Sequence, residues 1–208
     1  MPRAFTDTER ERIHSKLFDA GRSCFTRYGL KKTTIDDLVK LAGIAKSSFY
    51  LFFQSKEALY MELMMSEMPA MAQRLVDVSF GATDDTREAL ILLLRAIVHE
   101  IETNEFARII FDDPRQIEQL SAAIDFEEIM KQWKTIFEPL SQAITEAQDQ
   151  GKIIAGDPQK LIYSLGLIKL IPLSKDRLPK GLYDSMLEFA PQVIADGLTC
   201  PAGKGGKE

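Results

Sequence analysis

Apolar positions along this chain recur every three to four residues almost throughout. No stretch alternates with period two for long enough to make a strand, so the pattern predicts an all-α fold of about nine helices. The first opens on Thr6-Asp7-Thr8-Glu9, a capping box in which hydroxyl and carboxylate satisfy each other's end of the helix. Behind it Ile13, Leu17, Ala20, Cys24 and Tyr28 form one buried stripe, and Gly29 ends the helix. Thr33 or Thr34 caps the second, with Asp36 and Asp37 near its positive end and Ile35, Leu38, Val39 and Ala42 facing inward. Gly43 breaks it. A short third helix is expected over about Ala45 to Phe53, and Ser55 starts a fourth that continues to about Pro69 or beyond.

After the polar break "GATDDTRE" comes "ALILLLRAIVHEI", a helix over roughly Thr86 to Thr103 that is apolar on nearly all sides and belongs at the centre of a core. A shorter helix is predicted from Asn104 to Phe111. A long one follows from about Ala123 to Gln150, with Ile129, Trp133, Phe137, Leu140, Ile144 and Ala147 on one face and a bend at Pro139. "GKIIAGDP" turns into a helix over about 158–170. The loop "PLSKDRLPKG" then leads to a last helix over about Leu182 to Gly197, with Pro191 as a kink.

Composition narrows the class. The chain has 208 residues, 45% of them apolar, which is enough for a core and excludes global disorder. No apolar run reaches 18 residues and the N-terminus lacks the apolar centre of a signal peptide, so no membrane span is expected and the cytoplasm fits best. Cys24 and Cys200 have no metal spacing, and His14 and His99 are too isolated to make a metal site. No nucleophile elbow, phosphate loop or dinucleotide fingerprint is present, so neither an enzyme nor a cofactor is expected. The net charge of −5 hides an asymmetry. Residues 1–60 hold 11 Lys and Arg against 7 Asp and Glu, whereas residues 61–208 hold 15 against 24. A basic N-terminal quarter on an acidic body suits a first domain that meets an anion.

The chemistry concentrates in "TTIDDLVKLAGIAKSSFYLFFQSKEALY", Thr33 to Tyr60, where four aromatics crowd into five residues. Two short helices around a glycine turn have the length and spacing of a helix-turn-helix, whose second helix fits the major groove of DNA. Phe49 and Phe53, at i and i+4, can anchor that helix from behind. Lys46, Ser47, Tyr50 and Leu51 then take the other faces. The stretch resembles the DNA-binding segment of the TetR family of bacterial transcriptional regulators over about residues 8–60. Gly29, Thr33, Thr34, Ala42, Gly43, Phe49, Tyr50, Phe53, Ser55, Lys56 and Glu57 carry the match. The resemblance implies that Thr33, Thr34, Tyr50 and Lys56 meet phosphate and that Lys46 and Ser47 open the recognition helix, with Leu51 on its reading face. It departs from the family at Ala45, where a serine is usual, at Leu51, where a polar base reader is frequent, and at Phe52, which replaces a tyrosine or histidine and cannot donate a hydrogen bond.

The expected organisation is a DNA-binding domain over residues 1–54, a ligand-binding and dimerisation domain over 55–200, and a disordered tail over 201–208. Met64 and Met68 sit at helical spacing with Met61, Met65 and Met71. Like Phe106, Phe111, Trp133 and Phe137, they suit either core filling or the lining of an effector cavity. The resemblance implies a homodimer built from the last two helices, through Leu161, Leu165 and Ile168 on one and Met186, Val193 and Ile194 on the other. It further implies a repressor on a palindromic operator, released by a small molecule. The rival reading is a helical protein-interaction module whose helix-turn-helix does not read DNA.

Overall fold

The computed structural model describes residues 5–104 and 126–199. Among them are nine α-helices: α1 Asp7–Lys32, α2 Ile35–Ala42, α3 Lys46–Phe49, α4 Lys56–Asp77, α5 Thr86–Thr103, α6 Phe126–Ile136, α7 Glu138–Asp149, α8 Pro158–Leu165 and α9 Lys180–Leu198. Two 3-10 segments, Gly166–Leu170 and Pro172–Arg177, join α8 to α9. The one β-type pairing among the described residues is an isolated bridge between Ile153 and Thr199, so the all-α expectation holds. No helix among the described residues is long and apolar enough to cross a membrane, and no group of three or more potential metal ligands occurs among them.

The described chain divides into two compact units, 5–67 with 126–129 and 68–104 with 130–199. The first is built around Leu17, Phe25, Leu38, Phe49, Phe53, Leu59, Tyr60 and Leu63, all buried. The second surrounds α5, whose Leu90, Ile91, Leu93, Leu94 and Val98 pack with Leu140, Ile144, Leu165, Ile168 and Ala195. That is why α5 reads as apolar on nearly every side.

Several boundaries differ from the sequence reading for identifiable reasons. Tyr28 is 49% exposed rather than part of the α1 stripe, and the Arg27 guanidinium lies over its ring. Gly29 turns the chain at φ 75°, ψ 165°, a region open to glycine, so that Leu30 fills the core instead. The long helix expected over 123–150 is two helices broken at Phe137. Pro139 sits in the first turn of α7, where a missing N–H costs nothing, so it starts a helix rather than bending one. The expected helix over 158–170 turns to 3-10 geometry at Gly166, ahead of Pro172, which has no N–H to give back to the preceding turn. Asn104, where a further helix was expected to start, is the C-cap of α5, and the rest of that predicted helix to Phe111, like the tail 201–208, lies outside the described residues.

Candidate nucleic-acid interface

Local chemistry sets the helix-turn-helix. Thr34 is the N-cap of α2. Its hydroxyl accepts from the Asp37 amide at 3.2 Å and donates to the Asp37 carboxylate at 2.6 Å, while its own amide donates to that carboxylate at 3.0 Å. These bonds hold the Asp37 carboxyl below the usual carboxylate range. Gly43 closes α2 in the left-handed conformation, φ 66°, ψ 41°, and the Ile44 amide returns to the Val39 carbonyl at 3.1 Å. The chain re-enters a helix at Lys46 with Ala45 as N-cap, which supplies no side-chain hydrogen bond.

α3 is therefore four residues long, shorter than the predicted span, and continues as tight turns through Phe53. It holds by its buried side. Phe49 is 0% and Phe53 3% exposed, with ring centroids 5.9 Å apart. The opposite side carries Lys46, Ser47, Tyr50 and Leu51, all exposed, with Tyr50 and Leu51 at 53% and 59%. This is a face with an ammonium, a hydroxyl, a phenol and an apolar tip, and nothing covering them. Lys46 donates to the Asp36 carboxylate at 3.0 Å, chiefly through which its pKa is raised. Such a solvent-exposed pair is weak and open to exchange for another anion.

Three other residues expected at phosphate are committed elsewhere. Thr33 is fully buried, and its hydroxyl donates to the Gly29 carbonyl at 2.8 Å, with the Cys24 carbonyl 3.2 Å away. It closes α1 and cannot reach a ligand. Thr34 is exposed, but the cap consumes both of its donors, leaving none for phosphate. The Lys56 ammonium donates to the carbonyls of Leu30 and Thr33, each at 2.7 Å, and of Lys31 at 3.3 Å. All three of its N–H groups are thereby used, on the orphan carbonyls at the C-terminal end of α1. The resemblance implies a phosphate lysine; the fold makes it a clamp between α1 and α4. Lys56→Met is expected to lower unfolding free energy by about 1–3 kcal/mol, because part-buried carbonyls lose their donor. The slope of DNA affinity against salt should stay unchanged. Urea titration and a salt series check the two halves, and a reduced slope with intact stability would return Lys56 to the phosphate set.

The residues expected to line an effector cavity are divided. Met64 packs against the core of the first unit, and Phe137 against that of the second, with its ring 5.4 Å from Trp133. Met68 is half-buried, and Phe106 and Phe111 lie outside the described residues.

The expected dimer residues also separate. Leu165 and Ile168, each 3% exposed, are packed in the core of their own chain, against α5 and its neighbours, and so are not at the surface where a mate was expected. Leu161 and Ile194 lean on the same core. Met186 is half-buried and Val193 is 50% exposed. The open apolar positions lie one step round. They are Tyr163, Leu167 and Leu170 after the start of α8, and Leu182, Phe189 and Val193 along α9.

Known proteins point the same way. Residues 17–63 match the bacterial regulatory proteins of the tetR family. The HTH-type transcriptional regulator YhgD of Bacillus subtilis is 27% identical over 146 residues, covering 69% of this chain and 73% of that protein. RutR of Escherichia coli, also an HTH-type transcriptional regulator, is 24% identical over 159 residues, or 72% of this chain and 68% of its own. Among solved structures, a tetR-family regulator from Pectobacterium atrosepticum superposes with TM-score 0.70 at 21% identity, covering 94% of this chain and 98% of that one. RolR in complex with resorcinol gives 0.67 at 15%, over 96% and 93%. The helix-turn-helix built here, with its buried Phe49 and its open Lys46–Leu51 face, falls wholly within the matched segment, and residues 17–63 carry the helix-turn-helix of the tetR family of bacterial regulatory proteins.

Proposed function

We propose that this regulator is a cytoplasmic repressor that binds a palindromic operator as a homodimer and leaves it when a small molecule binds. Residues 1–54 meet DNA, and residues 55–200 serve the effector and the dimer. The observation that carries the reading is the face of α3, where Lys46, Ser47, Tyr50 and Leu51 stand exposed over an aromatic anchor. Lys46 and Ser47 meet base edges, Leu51 a thymine methyl, and the Tyr50 hydroxyl a phosphate. So short a helix reads few base pairs, and a two-fold pair of half-sites is the natural remedy.

The open apolar stripes support the dimer. Leu182, Phe189 and Val193 follow one another at helical spacing along α9, as do Tyr163, Leu167 and Leu170. Open apolar stripes of this kind mark a protein-binding surface, and they suit a helical bundle with the same stripes of a second copy. For the effector, the support is that RolR, similar in fold, is a complex with resorcinol. Release needs only a ligand that binds the two dimer conformations unequally.

The test is selection of duplexes from random DNA by the purified chain, repeated with Lys46→Ala. Wild type should enrich an inverted repeat. The variant should alter the ranking of base-pair changes within it, by roughly 10- to 100-fold at a contacted position. A uniform loss over all sequences would make Lys46 a phosphate contact. No enrichment and no salt-dependent binding would favour a protein-interaction module instead.

A further inference from the structure

Phe52 follows directly on the exposed Tyr50 and Leu51, and its ring is only half-buried. It packs against the core of the first unit on one side, and two further neighbours come from the start of the chain. Phe5 approaches with ring centroids 6.4 Å apart, and the Arg10 guanidinium carbon stands 5.2 Å from the Phe52 centroid. Arg10 is exposed, and its guanidinium has no hydrogen-bond or ion-pair partner among the described residues. The nearby acids do not hold it. Glu9 is folded back onto the Thr6 cap, and Asp7, three residues earlier on the same face, makes no ion pair with it. One turn further along α1, the His14 ring lies tilted against Phe53, 5.4 Å between centroids, and is tied to Glu62 at 2.7 Å. α1 thus lies along both phenylalanines that follow the recognition helix, one with a paired histidine and one with an unpaired arginine.

We propose that Arg10, held on the Phe52 ring, is a DNA-backbone contact of this protein. This rests on the DNA-reading role of α3. A guanidinium stacked by its face keeps its N–H groups free around the edge, so the ring can fix its position without using a donor. Five donors in a rigid fork match the oxygens of a phosphate. The location suits the backbone and not the bases. With α3 in the major groove, the turn after it and the elements beside it come against the flanking phosphates. Phe52 cannot donate a hydrogen bond itself. The stack sets a donor from a different helix beside it.

The experiment is a salt series of binding to a blunt duplex of arbitrary sequence and to a selected one, for wild type, Arg10→Ala, Phe52→Leu and the double variant. Lys46→Ala serves as the control for DNA reading, and circular dichroism checks folding. Arg10→Ala should weaken both duplexes by the same factor and lower the log–log salt slope by about 1. Raising salt from 50 to 200 mM should then cost it about three- to fourfold less affinity than it costs wild type. Phe52→Leu should lose most of the same slope, and the double variant should be no worse than Arg10→Ala, because ring and guanidinium act as one contact. A wild-type slope in Arg10→Ala, with Lys46→Ala still impaired, overturns the proposal and leaves the DNA reading intact. Equal and additive losses in the double variant overturn the stack. An unmutated chain that binds neither duplex in a salt-dependent way removes both readings.

Discussion

Phe49→Ala is expected to lower the unfolding free energy by about 3–5 kcal/mol, the usual cost of emptying a large aromatic site. Domains are stable by only about 5–15 kcal/mol, so this is a substantial part of the whole. The expectation is high here because α3 has little else to hold it. It is four residues long, its N-cap Ala45 gives no side-chain hydrogen bond, and helices of this length have no stability of their own. What remains is the fully buried Phe49, packed with Phe53 and edge-on to Tyr50 at 5.6 Å. Phe49→Leu should cost less and leave a foldable chain, yet still loosen the helix that presents Lys46 and Ser47. In that variant discrimination between duplexes should fall further than affinity for arbitrary DNA. Urea unfolding and competition binding check this pair of effects. A Phe49→Ala chain with wild-type midpoint and wild-type discrimination would show that α3 is held by something other than its aromatic anchor.

Phe189→Glu and Val193→Glu should each turn the proposed dimer into helical monomers. Both side chains stand open on α9, at 67% and 50% exposure, so a carboxylate there is solvated in the single chain and costs it little. In a symmetric bundle the same carboxylate is buried twice and unpaired, at several kcal/mol for each ion. Light scattering at micromolar concentration should give half the mass, with the helical circular dichroism retained and palindromic binding reduced to weak half-site binding. Leu165→Glu is the contrasting control. Leu165 is 3% exposed and belongs to the core around α5, so that variant should unfold the chain instead of splitting the dimer. Dimers that persist in both α9 variants would place the interface elsewhere.

Features decided within a turn or two of helix were legible in the sequence. The Thr6–Glu9 capping box, the Gly43 closure of α2, the missing cap at Ala45 and the pairing of Phe49 with Phe53 all depend on residues at most four or five apart, so spacing and residue type suffice. The central place of α5 followed from apolar residues on every side, because such a helix has nowhere else to go. Contacts across long separations were not legible. Lys56 reads as a free lysine at a helix start until its ammonium is found on carbonyls 23 to 26 residues away. Thr33 reads as a second candidate cap until the turn at Gly29 buries it. Arg10 carried no signal at all, since nothing in "TDTERER" says that Phe52 lies beneath it. The C-terminal helices show the limit in another form. Residues 161–171 hold two apolar stripes, and periodicity alone cannot say which one the core takes. The 3-10 stretch adds about 20° per residue relative to an α-helix, close to 100° over its five residues. Packing against α5 then claims Leu165 and Ile168 and leaves Leu167 and Leu170 open. Periodicity is a property of one helix, whereas the choice between its faces belongs to the neighbours that tertiary structure brings against it.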